Sequence, residues 1–173
     1  MKKTLFIFLS LLFILILLLT AACSKKLSTI EQDYYTIIHE IVPLQEDFAN
    51  NSSEPVYKLK DALEQGTEFN IDKAISDIEK VQTDTKNTIT EKAKNIKSDI
   101  GKKYISIKIE YIDSVCNFSK NMLTNFKNLQ DKSMKAFVEI LANDVAVSGE
   151  KIDNLLKEEE KLLEEIKNMV EKK

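Results

Sequence analysis

Apolar residues recur along this chain at spacings of three and four, the period of a helix with one buried face. Ile30, Tyr34, Ile37, Ile41, Leu44 and Phe48 form the first such series. Ser28-Thr29-Ile30-Glu31 fits a capping box ahead of it, with Ser28 as the N-cap and Glu31 at N3. Pro43 falls inside the run and predicts a kink or split near Val42. Asn50-Asn51-Ser52-Ser53 is expected to end that helix. Glu54-Pro55 then opens a shorter one, since Pro suits a first helical turn. Val56, Leu59 and Leu63 line its inner face, and Gly66 supplies a C-terminal stop. Residues 67–69 read as a loop.

A longer helix is expected over residues 70–100, where Ile71, Ile75, Ile78, Val81, Ile89, Ala93 and Ile96 keep the spacing. Gly101 should end or bend it. Residues 104–112 read two ways. Ile105, Ile107, Ile109 and Tyr111 alternate as in a strand, but Ile105, Ile109, Ile112, Cys116, Ser119, Leu123 and Phe126 continue a helical series. A lone strand without a partner is unfavourable. A helix over residues 102–147 is therefore expected, with a break near Gln130-Asp131 or Ser133. Ser148-Gly149 should punctuate the chain before a last helix at 150–171. There Ile152, Leu155, Leu156, Leu162, Leu163, Ile166, Met169 and Val170 keep heptad register. Glu159 occupies a seam position within the run Glu158-Glu159-Glu160, which reads as a solvated face supported by pairs such as Glu158 with Lys161. The fold class that follows is all-α: an elongated antiparallel bundle of three to four long amphipathic helices over residues 28–173.

Composition adds an N-terminal segment of another kind. Residues 1–22 hold 17 hydrophobic residues, including an apolar run over 5–19 broken only by Ser10. Lys2 and Lys3 precede the run, Thr20-Ala21-Ala22 follows it, and Cys23 comes next. This order is that of an export signal. Ending in small residues and a Cys, it resembles the lipobox of bacterial lipoprotein precursors, but Thr20 stands where that family prefers a Leu three residues before the Cys, and Leu19 lies one residue further back. The resemblance implies a signal peptide at 1–22, lipidation of the Cys23 thiol and a short lipid-anchored linker at 23–27. Two or more acyl chains would make the anchor stable. The protein would then sit on the extracytoplasmic face of the cell membrane, or on an outer membrane in a two-membrane cell. Two other readings stand beside it. One is a retained membrane helix over residues 5–22, an 18-residue length just within the spanning range. The other is plain secretion, with Cys23 free to pair with Cys116. Under lipidation Cys116 is an unpaired thiol that belongs in the core.

Charge narrows the partners. The 173 residues carry 25 basic and 28 acidic side chains, and every basic one is Lys. A mildly acidic chain without Arg lacks the planar fork favoured for phosphate and base edges, so nucleic acid is not an expected partner. Chemistry is equally sparse. His39-Glu40 begins like a zinc-binding helix motif, but Pro43 stands where the second His belongs. Three Gly build no phosphate cradle, and the two Cys form no CxxC pair. No catalytic residue, metal ligand or cofactor site is expected, and the protein is read as non-enzymatic. Tyr34, Tyr35, Tyr57, Tyr104 and Tyr111 could make a stacking surface, though at helical spacing they read as boundary packing.

The overall plan, a lipobox ahead of a Lys- and Glu-rich helical domain, also resembles the cell-wall-binding helical lipoproteins of low-GC bacteria. That resemblance implies wall polymer or an envelope protein as partner. The function expected is a membrane-anchored binding or spacer module of the cell envelope. Self-assembly through the 150–170 heptads into a coiled-coil homo-oligomer is the alternative, and a small-molecule receptor or enzyme is a more distant one.

Overall fold

A computed structural model describes residues 27–129 and 132–172, which form helices and no strand. Five α-helices follow one another: α1 (Thr29–Thr36), α2 (Leu44–Gln65), α3 (Ile71–Lys92), α4 (Asp99–Asn128) and α5 (Met134–Glu171). The segment 1–26, with its signal and Cys23, lies outside the described residues.

The capping box forms as its residue types require. The Ser28 backbone N–H donates to Glu31 Oε2 at 2.6 Å, and the Glu31 N–H donates to Ser28 Oγ at 3.4 Å. Pro43 has no N–H to offer a helical ladder. The chain answers with one wide turn, Ile37–Ile41, in which the Val42 N–H reaches back five residues to the Ile37 carbonyl at 2.8 Å. Pro43 then caps α2.

α2 does not stop at Asn50–Ser53; it runs unbroken through Pro55 to Gln65. The helix absorbs the serine hydroxyls that were expected to end it. Ser53 Oγ donates to the Ala49 carbonyl at 2.7 Å, and Ser52 Oγ donates to the same carbonyl at 3.3 Å. Gly66 ends α2 at φ 64°, a left-handed conformation that a Cβ would strain, and Thr67 N–H closes on the Ala62 carbonyl at 2.9 Å.

The second expectation to fail is the long helix over 70–100. α3 ends at Lys92, a single 3₁₀ turn follows at Ala93–Asn95, and the chain reverses before α4 starts at Asp99. The cause is Asp33, 64 residues away on α1 and only 1% exposed. Its carboxylate accepts the Lys97 N–H at 3.1 Å and the Ser98 N–H at 2.7 Å. Ser98 Oγ accepts the Gly101 N–H at 3.1 Å and caps α4. Gly101 thus lies in the first turn of α4 and ends nothing. It is needed for close approach: a Cβ there would lie 2.8 Å from Ile96 Cγ2 and 3.2 Å from Asp33 Oδ2.

Residues 104–112 are helical, within α4. α4 ends at Asn128 and α5 starts at Met134, where Ser133 Oγ caps it by accepting the Ala136 N–H at 3.2 Å; Gln130 and Asp131, named for the break, lie outside the described residues. α5 then continues for 38 residues, about 57 Å, straight through Ser148-Gly149. A mid-helix Gly costs about 1 kcal/mol against Ala, too little to stop a helix of this length.

Cross-helix contacts set the directions. Lys86–Asp113 at 2.8 Å and Lys127–Asp72 at 2.5 Å run α4 antiparallel to α3. Lys103–Glu158 at 2.9 Å, Lys151–Glu110 at 3.1 Å and Asn125–Asp144 at 3.3 Å run α5 antiparallel to α4. The α4–α5 contact is the most extensive of the fold, whereas α2 and α5 touch little. The core is aliphatic with aromatic edges: Ile37, Ile41, Leu59, Ile78, Ile112 and Leu123 are fully or nearly fully buried, and Phe126 meets Phe137 edge-on at 6.0 Å.

Asp33→Ala should lower the unfolding free energy by about 2–3 kcal/mol, because buried backbone donors lose a charged acceptor. Denaturant unfolding followed by circular dichroism measures this. A loss below about 0.5 kcal/mol, the range of an ordinary surface change, would show that Asp33 does not hold the turn before α4.

Candidate functional site: a polar cluster inside the helices

Glu159 is the residue whose place departs furthest from expectation. Its seam position keeps it on the inner face of α5 with Leu155, Leu162 and Ile166, and it is 6% exposed. The solvated-face reading holds for Glu160, which is exposed. Glu158 reaches across to Lys103 at 2.9 Å and makes no pair with Lys161; Lys161 instead approaches Glu165 at 4.0 Å.

Facing Glu159 is Lys108 of α4, 1% exposed. Its ammonium lies 2.7 Å from Glu159 Oε1 and donates a second hydrogen bond to Gln45 Oε1 of α2. Tyr104, one helical turn before Lys108 and fully buried, donates its hydroxyl to the same Glu159 oxygen at 2.9 Å. The Tyr111 ring, whose edge packs against Phe48, has its centroid 5.7 Å from the Lys108 nitrogen. Three helices therefore meet at one ion pair. Glu159 Oε2 has no hydrogen-bond partner among the described residues. All the satisfaction falls on one carboxylate oxygen.

Burial pulls the Lys108 pKa below the ordinary lysine value, with Glu159 acting against that pull. Burial, and then the Glu159 charge, push the Tyr104 phenol far above its ordinary value, and Tyr111 moves the same way for the same two reasons. The buried carboxylate, held by an ammonium and a phenol, joins three helices.

The remaining candidates lie apart from it. Cys23 falls outside the described residues. Cys116 is fully buried, and burial raises its thiol to about 11, which keeps it protonated and unreactive. His39 is exposed on the wide turn, its ring tilted 44° to that of Tyr35 with centroids 4.4 Å apart, while neighbouring Glu40 meets Lys92 at 3.4 Å. The five tyrosines form no single platform. Tyr104 and Tyr111 are buried, and exposed Tyr35 and Tyr57 lie on different helices, α1 and α2, 22 positions apart. A groove of about 330 Å³ runs between α2 and α3 over Pro55, Phe69, Ala74 and Val81. Among the described residues no group of three or more His, Cys, Asp or Glu is placed to hold a metal ion, and no helix is long and apolar enough to cross a membrane.

Sequence reasoning did not single out Lys108, and it read Tyr104 as boundary packing, whereas Tyr104 is fully buried and bonded to Glu159. The signal was present: Tyr104, Lys108, Tyr111 and Val115 share one face of α4, so a Lys interrupts an otherwise apolar stripe. A matching Glu interrupts the stripe of α5.

Fold and cluster together define an all-α protein organised around a buried ion pair. Compared with known proteins, the chain matches no family model, no curated protein and no solved structure.

Two outcomes test the cluster. Lys108→Met should cost about 3–5 kcal/mol because it strands a buried carboxylate, while Lys108→Met combined with Glu159→Leu should recover most of that loss. Equal losses for the single and double variants would contradict the pairing. The second outcome concerns pH. The raised phenols contribute stability that is whole below about pH 10 and is lost as pH rises beyond it. Lys108 runs the opposite way, gaining as pH climbs toward 10.5, since the unfolded chain keeps that proton longer. Two buried phenols, Tyr104 and Tyr111, resist ionisation in the folded chain, so alkali should unfold the protein. Phenolate absorbance from Tyr104 and Tyr111 should appear together with loss of helical dichroism. Ionisation of all five tyrosines with helicity intact would contradict this.

Proposed function

We propose that this chain is an extracytoplasmic lipoprotein whose helical domain acts as a non-enzymatic binding or spacer module of a bacterial cell envelope. The observation that carries the reading is the join between the two parts. A lipobox-like sequence ends at Cys23, and the first helix is capped at Ser28. Five residues of linker span at most about 17 Å. A domain so tethered stays close to its membrane, and with α5 about 57 Å long it projects well beyond the headgroups.

Removal of residues 1–22 and acylation of Cys23 would leave residues 23–27 as linker, with Lys25 and Lys26 near anionic headgroups, worth about 1 kcal/mol each. In this reading α1 and α2 count as one bent rod, and the architecture is an elongated antiparallel bundle of four segments. Wall polymer or an envelope protein is the partner class. The absence of Arg and the mild acidity argue against nucleic acid. The large buried side chains are committed to packing and to one ion pair, which supports a binding or spacing role over catalysis.

Metabolic labelling with a fatty-acid probe should mark the parent protein and leave Cys23→Ala unmarked, with the variant released from the membrane fraction. Equal labelling of both, or none of either, would overturn the anchor. Cosedimentation of the parent with purified wall tests the partner class, and recovery equal to that of an unrelated helical protein would count against it.

A further inference from the structure

The first and last described residues come out together at one end of the bundle. Lys103–Glu158 and Lys151–Glu110 fix α5 against α4. In that register Asp99, the first residue of α4, lies level with about residue 162 of α5. α5 therefore runs about nine residues, about 13 Å, past the α3–α4 turn before it ends at Glu171. α1 lies alongside and runs in the same direction as α4. Asp33 bonds to the turn at Lys97 and Ser98, and Gln45, farther along the chain, meets Lys108. The start of α1 thus projects past the same turn, and Leu27, six residues before Asp33, reaches the level of Met169. At this tip Leu27 is 52% and Met169 48% exposed, although Ile166, one turn before Met169, is fully buried. Neither belongs to the core cluster.

We infer that this tip is a lipid-contact surface, resting on a bilayer with Leu27 and Met169 entering its interface. The inference rests on the reading of residues 1–23 as a membrane anchor, and it adds which end of the domain touches the membrane and through which side chains. The chain that precedes the tip identifies the occupant. The five residues from Cys23 to Leu27 span at most about 17 Å, so an anchored chain delivers this end to the bilayer before any other. Apolar side chains offered there at half exposure gain by leaving water. The flank of α5 offers the opposite. It carries ion pairs such as Lys157–Asp153 and Lys161–Glu165, whose charges would lose water if the bundle lay on that side. Charge attraction does not drive the contact. Residues 23–32 and 164–173 hold five Lys and four Glu, close to balance. The contact is therefore apolar, and it should form on zwitterionic lipid and survive high salt.

The chain contains no Trp, so a single introduced one reports its own surroundings. The full chain is reconstituted into phosphatidylcholine vesicles, some of whose lipids carry a nitroxide on the headgroup. Met169→Trp should be quenched at least threefold more than Val147→Trp, which is 73% exposed and lies about 33 Å away along α5. Molar salt should leave that difference in place. Flotation of the vesicles separates this inference from the anchor. A chain that fails to float overturns both. A chain that floats with the two Trp quenched alike, or with the difference lost in salt, overturns the tip contact and leaves the anchor standing. Trp itself favours membrane interfaces, so Asn95→Trp in the α3–α4 turn gives a second reading. Adding Leu27→Glu and Met169→Glu should lower its quenching at least twofold, with flotation and helical dichroism unchanged. Quenching that stays the same would overturn the role of the two side chains.

Discussion

One buried ion pair, Lys108 with Glu159, ties together the parts of this molecule that local sequence signals leave independent. α4 and α5 are the two longest helices, and a pair of apolar stripes alone would let them slide past each other by a turn at small cost. A lysine and a glutamate inside those stripes remove that freedom. Displacing α5 by one turn would bury two unpaired charges, a penalty of several kcal/mol per ion. Tyr104 and Gln45 extend the constraint, the first by a second hydrogen bond to the same carboxylate oxygen and the second by drawing in α2. The pair therefore selects one register among several that apolar packing would tolerate. A buried polar group of this kind adds specificity more readily than stability.

Asp33 plays the corresponding part at the end of the domain where α1 begins. It turns the chain between α3 and α4 by accepting two backbone donors, and it seats the first turn of α4 against α1. Gly101 and Ser98 are fitted to that carboxylate. The two polar constraints lie about two turns apart along α4, one at Gly101 and one at Lys108. Beyond them, α5 runs on with little between Phe137 and Leu155 to bury it. The same helix is thus locked at one end and little buried along the other.

What could be read from sequence follows a physical rule. Signals that act within a few residues were legible: the Ser28–Glu31 capping box, the disturbance at Pro43, the left-handed Gly66 and the break before Ser133. Signals whose meaning depends on distant partners were not. Ser52 and Ser53 look like a stop until their hydroxyls are given helix carbonyls to bond. Gly101 looks like an end until Asp33 is placed 3.2 Å from where its Cβ would be. Gly149 lies within a helix too long to be broken by one residue. Glu159 is the strongest case, because its burial depends on a lysine 51 residues earlier in the chain. Its position on a seam was visible, and the lysine on the facing stripe was the missing half of the argument. Cys23, the residue on which the proposed anchor rests, lies outside the described residues.

The most direct test of the central contact is the lysine side-chain resonance itself. In ¹⁵N-lysine NMR near neutral pH, Lys108 should give a protected ammonium signal that exchanges with water far more slowly than the surface lysines, and Glu159→Gln should abolish that protection. An ammonium at Lys108 exchanging as fast as the exposed ones, or unchanged by Glu159→Gln, would contradict the account that a buried pair sets the register of the two longest helices.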